Sequence, residues 1–240
     1  MQSISLMFPV YNDENTVRIV AEKGLKLLSE IGAPYEIVIV DDGSPDRSGA
    51  IADELAREHS VVKVVHHPVN RGYGAALRSG LAACTGDVIL MTDGDDQYDV
   101  FDFKKLLRHV DRYDLIITFR YKKIYSSMRI FISWVYNKVL RVIFRSPFRD
   151  ISTGLRLVHR RVIEDLCLES NSPFIGAEMA IKAMLKGYSV GEAGIQTFPR
   201  DFGEGGSTST RNIIATMRDM IAIHRRIFSV EYDRPPERPH

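Results

Sequence analysis

A buried strand that ends in a cluster of oxygen donors constrains the fold of this chain more than any other feature. Val88–Met91 is an uninterrupted apolar run, which is typical of a strand that is buried on both faces. Asp93, Asp95 and Gln97 follow it directly. In open α/β sheets, ligands bind at the carboxyl ends of the strands. The sequence therefore predicts a ligand site at the end of a central strand.

The acidic cluster has two interpretations. Asp93 and Asp95 are separated only by Gly94, so a divalent cation could be reached by both carboxylates. Oxygen ligands of this kind suit Mg²⁺ or Mn²⁺, which commonly hold substrate phosphates. The alternative is an acidic turn that caps a helix from Tyr98 onward. The cluster by itself leaves both interpretations open.

The chain before this cluster alternates between short apolar strands and helices. We predict strands over residues 3–10, 35–40 and 61–65, and helices over about 12–31, 45–59 and 70–84. Asn12 or Asp13 is the expected N-cap of the first helix, Gly32 ends it, and Pro45 begins the second. This alternation indicates a mostly parallel, Rossmann-like sheet flanked by helices. The polar residues after its strands would then converge on one edge.

Composition excludes several classes of protein. The chain has 32 Lys and Arg against 31 Asp and Glu, so no overall positive field favours nucleic acid. Two cysteines, Cys84 and Cys167, are too few for a disulfide framework and fit a reducing compartment. No secretory signal or membrane-spanning run is expected. The segment from Gly72 lacks the third glycine of a dinucleotide-binding fingerprint, and no P-loop pattern occurs.

The second half contains a basic segment with an apolar stripe. After a predicted strand over 113–118, residues 120–149 include eight Lys or Arg and no acidic residue. Apolar residues recur there with helical spacing: Met128, Phe131, Ile132, Val135, Val139, Val142 and Ile143. Such a helix could lie in a membrane interface near anionic headgroups. Alternatively, it packs its stripe on the sheet and exposes a basic face.

The remaining elements complete an α/β chain. We predict a helix over 174–186 that ends at Gly187, an edge strand over 188–198 and a glycine-rich loop over 200–208 that could close over a substrate. A C-terminal amphipathic helix over 211–230 and a disordered tail over 231–240 follow.

Four segments in order resemble the signatures of the family-2 glycosyltransferases, in particular the dolichyl/polyprenyl-phosphate mannose synthases. They are Phe8–Glu14, Val40–Ser44, Asn70–Ala76 and Asp93–Gln97. The resemblance covers about residues 3–210 and implies the GT-A fold. It implies a single domain over 1–230, with a nucleotide-sugar half to about 118, an acceptor half over 119–210 and the C-terminal helix.

The resemblance also implies roles for individual residues. The nucleotide-sugar site would comprise Pro9, Tyr11, Asp13, Asp41, Asp42, Arg71, Asp93, Gly94, Asp95 and Arg200. The metal, Mg²⁺ or Mn²⁺, would be held by Asp93, Asp95 and Gln97, and the acceptor phosphate by Arg120, Arg129 and Ser133. Catalytic roles fall on Asp95, Arg120 and Asp150.

Three positions either extend the resemblance or depart from it. Asp150 opens a segment over 150–156 that resembles the family's segment beside the donor sugar, and its alternative is a turn aspartate. Most relatives have Glu where Asp13 stands. The mannose synthases usually show G-x-S-K, whereas here Thr208 follows Ser207, so Arg211 would have to supply the missing cation.

The expected function is a metal-dependent, inverting transfer of a hexose, mannose or glucose, from a GDP- or UDP-linked sugar to a polyprenyl phosphate. The resemblance places the enzyme at the cytoplasmic face of a membrane, bound there peripherally through its basic amphipathic helices. A partner subunit in the membrane and a homodimer both remain open. One alternative is a glycosyltransferase with a sugar-hydroxyl or glycolipid acceptor, for which Asp150 would be the base. The other is a non-catalytic nucleotide-binding module.

Overall fold

The computed structural model describes residues 2–121, 127–151, 153–199 and 209–228, without the side chains of Ser127 and Arg129. Its strands are β1 Ile4–Val10, β2 Tyr35–Asp41, β3 Val62–His66, β4 Val88–Met91, β5 Leu115–Arg120, β6 Arg156–His159 and β7 Val190–Ile195. Its helices are α1 Val17–Ile31, α2 Ser48–Glu58, α3 Tyr73–Ala83, α4 Phe103–Leu107, α5 Ser127–Phe144, α6 Arg160–Leu166, α7 Ile175–Leu185 and α8 Thr210–Phe228. A 3₁₀ turn over Val100–Asp102 precedes α4.

The described strands form one sheet in the order β3-β2-β1-β4-β6-β5-β7. β6 is antiparallel to both neighbours, and the other described pairs are parallel. The carboxyl ends of β1, β2, β4 and β5 therefore lie at one edge of the sheet, where β6 begins. Gly154, two residues before β6, lies against Asp93 at the same edge.

Both faces of the sheet are buried, as the apolar strand runs predict. Alternation along β1 sends Leu6 and Phe8 into the layer beneath α1 and α2, and Met7 into the layer beneath α3 and α7. Phe103 belongs to the first layer and Phe174 to the second, and both are fully buried. The mixed α/β fold with helices on both faces confirms the predicted fold class.

Three helices begin at least three residues later than predicted, including α3, which begins at Tyr73. α1 begins at Val17 with Thr16 as N-cap, so the prediction of Asn12 or Asp13 as N-cap is wrong. The reason is that the Asp13 carboxylate accepts the backbone N–H of Tyr11, which closes a turn before the helix. Similarly, α2 begins at Ser48 because Asp46 accepts the Ser48 N–H at 3.0 Å.

The helix ends marked by glycine are confirmed. Gly32 adopts a left-handed conformation after α1, with φ 72°, and its N–H donates to the Leu28 carbonyl. Gly187, with φ 77°, follows α7. β6 and α6 are the elements that the sequence did not predict. β6 is only four residues long and lies between β4 and β5.

The long helices α5 and α8 carry exposed apolar side chains. On α5, the stripe residues Met128, Phe131, Val135 and Val142 are exposed, whereas Leu140 and Phe144 are buried. On α8, Ile214, Met217, Ile221 and Phe228 are exposed. Packing on the sheet therefore accounts for only part of this helix. α5 buries some apolar side chains in the core and exposes others to the outside. Among the described residues, no helix is long and apolar enough to cross a membrane.

Candidate active site

The ends of β1 and β4 are in direct contact at the carboxyl edge of the sheet. A Cβ on Gly94 would lie 2.7 Å from the carbonyl oxygen of Pro9, so this close approach needs glycine. The Thr16 hydroxyl donates to the Gly94 carbonyl at 2.7 Å. Asp13 lies between these strand ends, where its N–H donates to the Ser48 hydroxyl at 2.9 Å. The predicted donor residues of the first and fourth strands are thus brought together.

Asp42 shapes the loop that presents Arg71. Its two carboxylate oxygens accept the backbone N–H groups of Arg71 and Gly72, each at 2.9 Å. Nδ1 of the buried His67 lies 2.6 Å from one of the same oxygens. Gly72 has φ 94°, and a Cβ there would lie 2.9 Å from the Asn171 carbonyl oxygen. The buried Asp42 therefore contacts protein groups and holds the exposed Arg71 at the edge.

Asp41 is paired with His66 at the end of β2. Its carboxylate accepts the Ser44 N–H at 2.9 Å and lies 3.1 Å from Nδ1 of His66. The other ring nitrogen of His66 lies 2.9 Å from Asp53. The hydrogen bond to Asp53 raises the pKa of His66 in spite of partial burial, and Asp41 adds to the effect. Both predicted donor aspartates are thus anchored before any ligand binds.

Asp93 and Asp95 form the acidic centre of the edge. Burial and the negative charge of Asp95 raise the pKa of Asp93 to about 7, against a hydrogen bond from the Tyr73 phenol at 2.8 Å. Asp95 accepts the backbone N–H of Gln97 at 3.2 Å. The helix-cap interpretation of this cluster is wrong, because Asp99 accepts the N–H of Phe101 and caps the turn that follows.

The donor set fits a hard divalent cation that also binds a ligand. Mg²⁺ is usually bound by one or two carboxylates together with substrate phosphates and water, and Asp93 and Asp95 supply two carboxylates. Within the described ranges, no three His, Cys, Asp or Glu side chains could hold a metal ion by themselves. Water or the oxygens of a bound ligand would complete the coordination shell. The predicted third ligand, Gln97, is a buried side chain beside them.

A buried ion pair lies at the end of β5. Nε and Nη2 of Arg120 lie 2.9 and 2.8 Å from Oδ2 of Asp150, and both side chains are almost fully buried. Asn137 of α5 lies against this pair, with its amide nitrogen 3.4 Å from Oδ1 of Asp150 and 2.8 Å from the carbonyl oxygen of Ser133. The amide oxygen of Asn137 accepts the N–H of Ile151 at 3.1 Å. The structure thus joins Arg120, Asp150 and the Ser133 turn of α5.

The segment from Asp150 to Gly154 connects this ion pair to the acidic centre. A Cβ at Gly154 would overlap the carboxylate of Asp93, so the Gly154 backbone lies directly against that carboxylate. The buried Arg156 donates to the carbonyls of Ile151 and Thr153 at 2.7 and 3.0 Å. These hydrogen bonds hold the backbone at Ile151 and Thr153 in place.

Several predicted residues fall outside this geometry. Arg200 and the glycine-rich loop over 201–208 lie outside the described residues, as does the predicted tail, and the Arg129 side chain is not described. Tyr73 lies within the matched segment Asn70–Ala76 but was assigned no role, and Asn137 was missed because an asparagine in a helix carries no sequence signal. Arg156 belonged to the matched segment but was assigned no role.

An α/β sheet with acidic residues on its carboxyl edge is the architecture of nucleotide-sugar-dependent transferases of the GT-A fold. The chain belongs to glycosyl transferase family 2, since the family model of that description matches residues 5–167. Undecaprenyl-phosphate 4-deoxy-4-formamido-L-arabinose transferase of Pectobacterium carotovorum is 30% identical over 168 residues, 68% of this chain and 50% of that protein. Glycosyltransferase AglD of Haloferax volcanii is 28% identical over 236 residues, 93% of this chain and 36% of that protein. This chain thus spans half or less of the length of these relatives.

Solved structures support the same fold. Glucosyl-3-phosphoglycerate synthase from Mycobacterium tuberculosis, in complex with Mn²⁺, UDP and phosphoglyceric acid, matches with a TM-score of 0.69 at 18% identity, covering 98% of this chain and 80% of that one. The same enzyme with Mg²⁺ and UDP matches with a TM-score of 0.67 at 18% identity, covering 94% of this chain and 79% of that one. The predicted GT-A fold is confirmed.

Proposed function

We propose that this glycosyltransferase moves a sugar from a nucleoside diphosphate sugar to a polyprenyl phosphate, with inversion at the anomeric carbon. The observation that carries the proposal is the short segment from Asp150 to Gly154, which touches Arg120 at one end and Asp93 at the other. A donor site and a basic acceptor site would thereby lie side by side. The name of the Pectobacterium relative, an undecaprenyl-phosphate sugar transferase, supports this acceptor class.

On the donor side, Asp93 and Asp95 would hold Mg²⁺ or Mn²⁺, with Gln97 beside them. A bound divalent cation supplies charge neutralisation for the leaving diphosphate. Pro9, Tyr11, Asp13 and Asp41 would line the nucleotide site, while Asp42 orients the loop that carries Arg71. Gly94 lets the strand ends approach, and Arg200 would reach the diphosphate. Both metals and UDP occur with the solved neighbours, which makes UDP-linked sugars the first donors to test and GDP-linked sugars the second.

On the acceptor side, Arg120 would bind the lipid phosphate together with Arg129 and Ser133 of α5. A phosphate is anionic at neutral pH, so its attack needs no strong general base. The chain's task is instead to hold two anions close together, by positioning and charge stabilisation. In the structure, Asp150 forms an ion pair with the guanidinium of Arg120 and sets its orientation. The sugar is proposed to be a hexose, mannose or glucose, with an arabinose derivative as the next choice.

The exposed side chains of α5 and α8 support docking on a membrane that contains the acceptor. Trp134 and Phe131 stack on α5 with ring centroids 6.2 Å apart, and the amino group of Lys138 lies 5.8 Å from the centroid of the Trp134 ring. Aromatic groups beside basic residues are typical of helices that lie in an anionic interface. We place the enzyme at the cytoplasmic face, where a partner subunit or a second copy could share this surface.

A second candidate is transfer to a sugar hydroxyl or a glycolipid. One solved neighbour was crystallised with phosphoglyceric acid, which supports testing a small acceptor that carries a hydroxyl group. Hydroxyl attack needs a base, and Asp150 is the carboxylate next to Arg120. A non-catalytic module that binds nucleotide is the third candidate.

The test is transfer from radiolabelled UDP- and GDP-sugars, with Mn²⁺ or Mg²⁺, into short polyprenyl phosphates in detergent. Label that is extracted into organic solvent is expected with one donor and would identify the sugar. Metal-dependent release of nucleotide with glycans or glycolipids, but not with polyprenyl phosphates, would contradict the lipid-phosphate acceptor. No transfer to either acceptor class, with nucleotide still bound, would favour the module.

A further inference from the structure

Tyr73 joins two parts of the donor site that the sequence treats separately. It is the first residue of α3, directly after the Arg71–Gly72 loop that Asp42 holds. Its phenol crosses to the end of β4 and donates to Oδ1 of Asp93 at 2.8 Å. The loop that presents Arg71 and the carboxylate at the acidic centre are thus linked by one side chain.

The Asp93 carboxylate is restrained from two directions. The phenol of Tyr73 fixes Oδ1, and the Gly154 backbone lies so close that even a methyl group there would overlap the carboxylate. Rotation of the carboxylate about its Cβ–Cγ bond would break the hydrogen bond to Tyr73. Since groups that hydrogen-bond to ligating carboxylates orient them and tune metal affinity, the phenol has a function beyond filling space.

The position of Tyr73 is itself held by the surrounding backbone. The N–H of Gly74, the next residue, donates to the Asn171 carbonyl at 2.9 Å. Glu178 is fully buried and paired with Lys182. Its carboxylate accepts the N–H of Ser170 and so holds the backbone next to Asn171 in place. The phenol therefore acts from a fixed support, as a positioning group requires.

We propose that Tyr73 is a positioning residue that holds the Asp93 carboxylate in the orientation that binds a divalent cation. The inference rests on the proposed function, because it takes Asp93 as a ligand of the cation. Tyr73 makes no contact with the reacting groups in this scheme. It acts through Asp93, and its contribution is geometric.

The test is the Mn²⁺ dissociation constant of Tyr73→Phe, measured from the EPR signal of free Mn²⁺ in the presence of UDP and, separately, GDP. Phenylalanine keeps the ring and removes only the hydroxyl. Loss of an outer-sphere partner of this kind weakens metal binding by about 10- to 100-fold, so we expect at least a 10-fold rise in the Mn²⁺ Kd. Thermal unfolding is followed in parallel to show that the variant is folded at the temperature of the measurement.

The matched control is Tyr188→Phe. The Tyr188 phenol donates to Oδ2 of Asp165 at 2.8 Å, so the substitution deletes the same kind of bond at the same distance, before the edge strand β7. The Mn²⁺ Kd of this variant is expected to stay within twofold of the wild type. An equal rise in both variants would overturn the proposal, because the effect would then be a general one.

The outcomes separate this inference from the proposed function. If the wild type binds Mn²⁺ and Tyr73→Phe binds it equally well, only the positioning role is overturned. If the wild type binds no Mn²⁺ with either nucleotide, this inference falls, while the proposed function is judged separately by the transfer assay. Should Tyr73→Phe not fold, Gly154→Ala displaces the same carboxylate from its other side, and a wild-type Kd in that variant overturns the proposal.

Discussion

At the scale of single residues, the acidic centre combines two carboxylates that repel each other. Asp93 is partly buried next to the charge of Asp95, and desolvation together with this charge raises its pKa to about 7. Such a site is unfavourable without a cation, since a bound divalent ion would replace the proton and remove the repulsion. The arrangement is typical of a functional site and is not explained by stability.

The raised pKa of Asp93 predicts how the stability of the metal-free protein depends on pH. Between about pH 4 and pH 7 the folded state binds a proton that the unfolded state has lost, so stability falls as the pH rises through this window. Asp93→Asn should remove this fall and gain at most about 4 kcal/mol over the wild type above pH 7, with no gain near pH 4. Urea unfolding at several pH values measures the difference. Parallel stability profiles for the two proteins would contradict the assignment.

At the scale of secondary-structure elements, the sequence predicted the four parallel strands of the first half well. Their apolar runs are continuous, and Gly32 marks the end of α1 for a physical reason, since it adopts a positive φ. Helix starts were less predictable, because local hydrogen bonds decided them. The Asp13 carboxylate accepts the N–H of Tyr11, and the Asp46 carboxylate accepts the N–H of Ser48, the first residue of α2.

β6 could not be predicted, because its identity as a strand comes from its neighbours. Only four residues long, it runs antiparallel between β4 and β5. Its first residue, Arg156, is a buried charge in a position where an apolar residue is expected. The hydrogen bonds from Arg156 to the backbone of the Asp150 segment explain this exception.

The contact between α5 and the Asp150 segment gives a prediction about Asn137. Asn137→Ala removes the acceptor of the buried Ile151 N–H, which should cost about 1–3 kcal/mol of unfolding free energy. It should also raise the KM for a detergent-solubilised polyprenyl phosphate, since Ser133 and Arg120 lose their common support, while nucleotide binding is unchanged.

Val142→Ala is the control for this prediction. Val142 lies on the same helix and is 73% exposed, so its truncation shortens a side chain without touching the Asp150 segment. Unchanged stability and an unchanged acceptor KM in Asn137→Ala would show that α5 is positioned by other contacts.

At the scale of the whole molecule, the exposed faces of α5 and α8 determine how the enzyme meets its acceptor. The chain contains one tryptophan, Trp134, which is 57% exposed on α5. Its emission therefore reports directly on that surface. Vesicles with anionic lipid should shift the emission to shorter wavelength, and neutral vesicles should not.

The shift should weaken at high salt, because screening shortens the reach of the basic residues. Phe131→Glu, which places a negative charge next to Trp134, should abolish it. Emission that is identical with both kinds of vesicle would contradict docking through α5.

At this scale the sequence predicted which polar residues would meet, because strand ends in a parallel sheet necessarily converge. It identified Asp93, Asp95, Arg120 and Asp150, which the fold does bring to one edge. It could not predict that Arg120 and Asp150 pair with each other, since they are 30 residues apart in the chain. Nor could it identify Tyr73, whose role depends on a contact between α3 and β4.

The most direct test of the proposed function is transfer of labelled sugar into polyprenyl phosphate by Asp95→Asn and Asp96→Asn. Both substitutions replace a carboxylate with an amide of the same size at adjacent positions. Asp95 belongs to the acidic centre, whereas Asp96 is paired with Lys23 at 2.7 Å. We predict that Asp95→Asn lowers transfer by at least about 100-fold and that Asp96→Asn retains transfer close to that of the wild type. Wild-type transfer by Asp95→Asn would contradict a catalytic cation site at the end of β4.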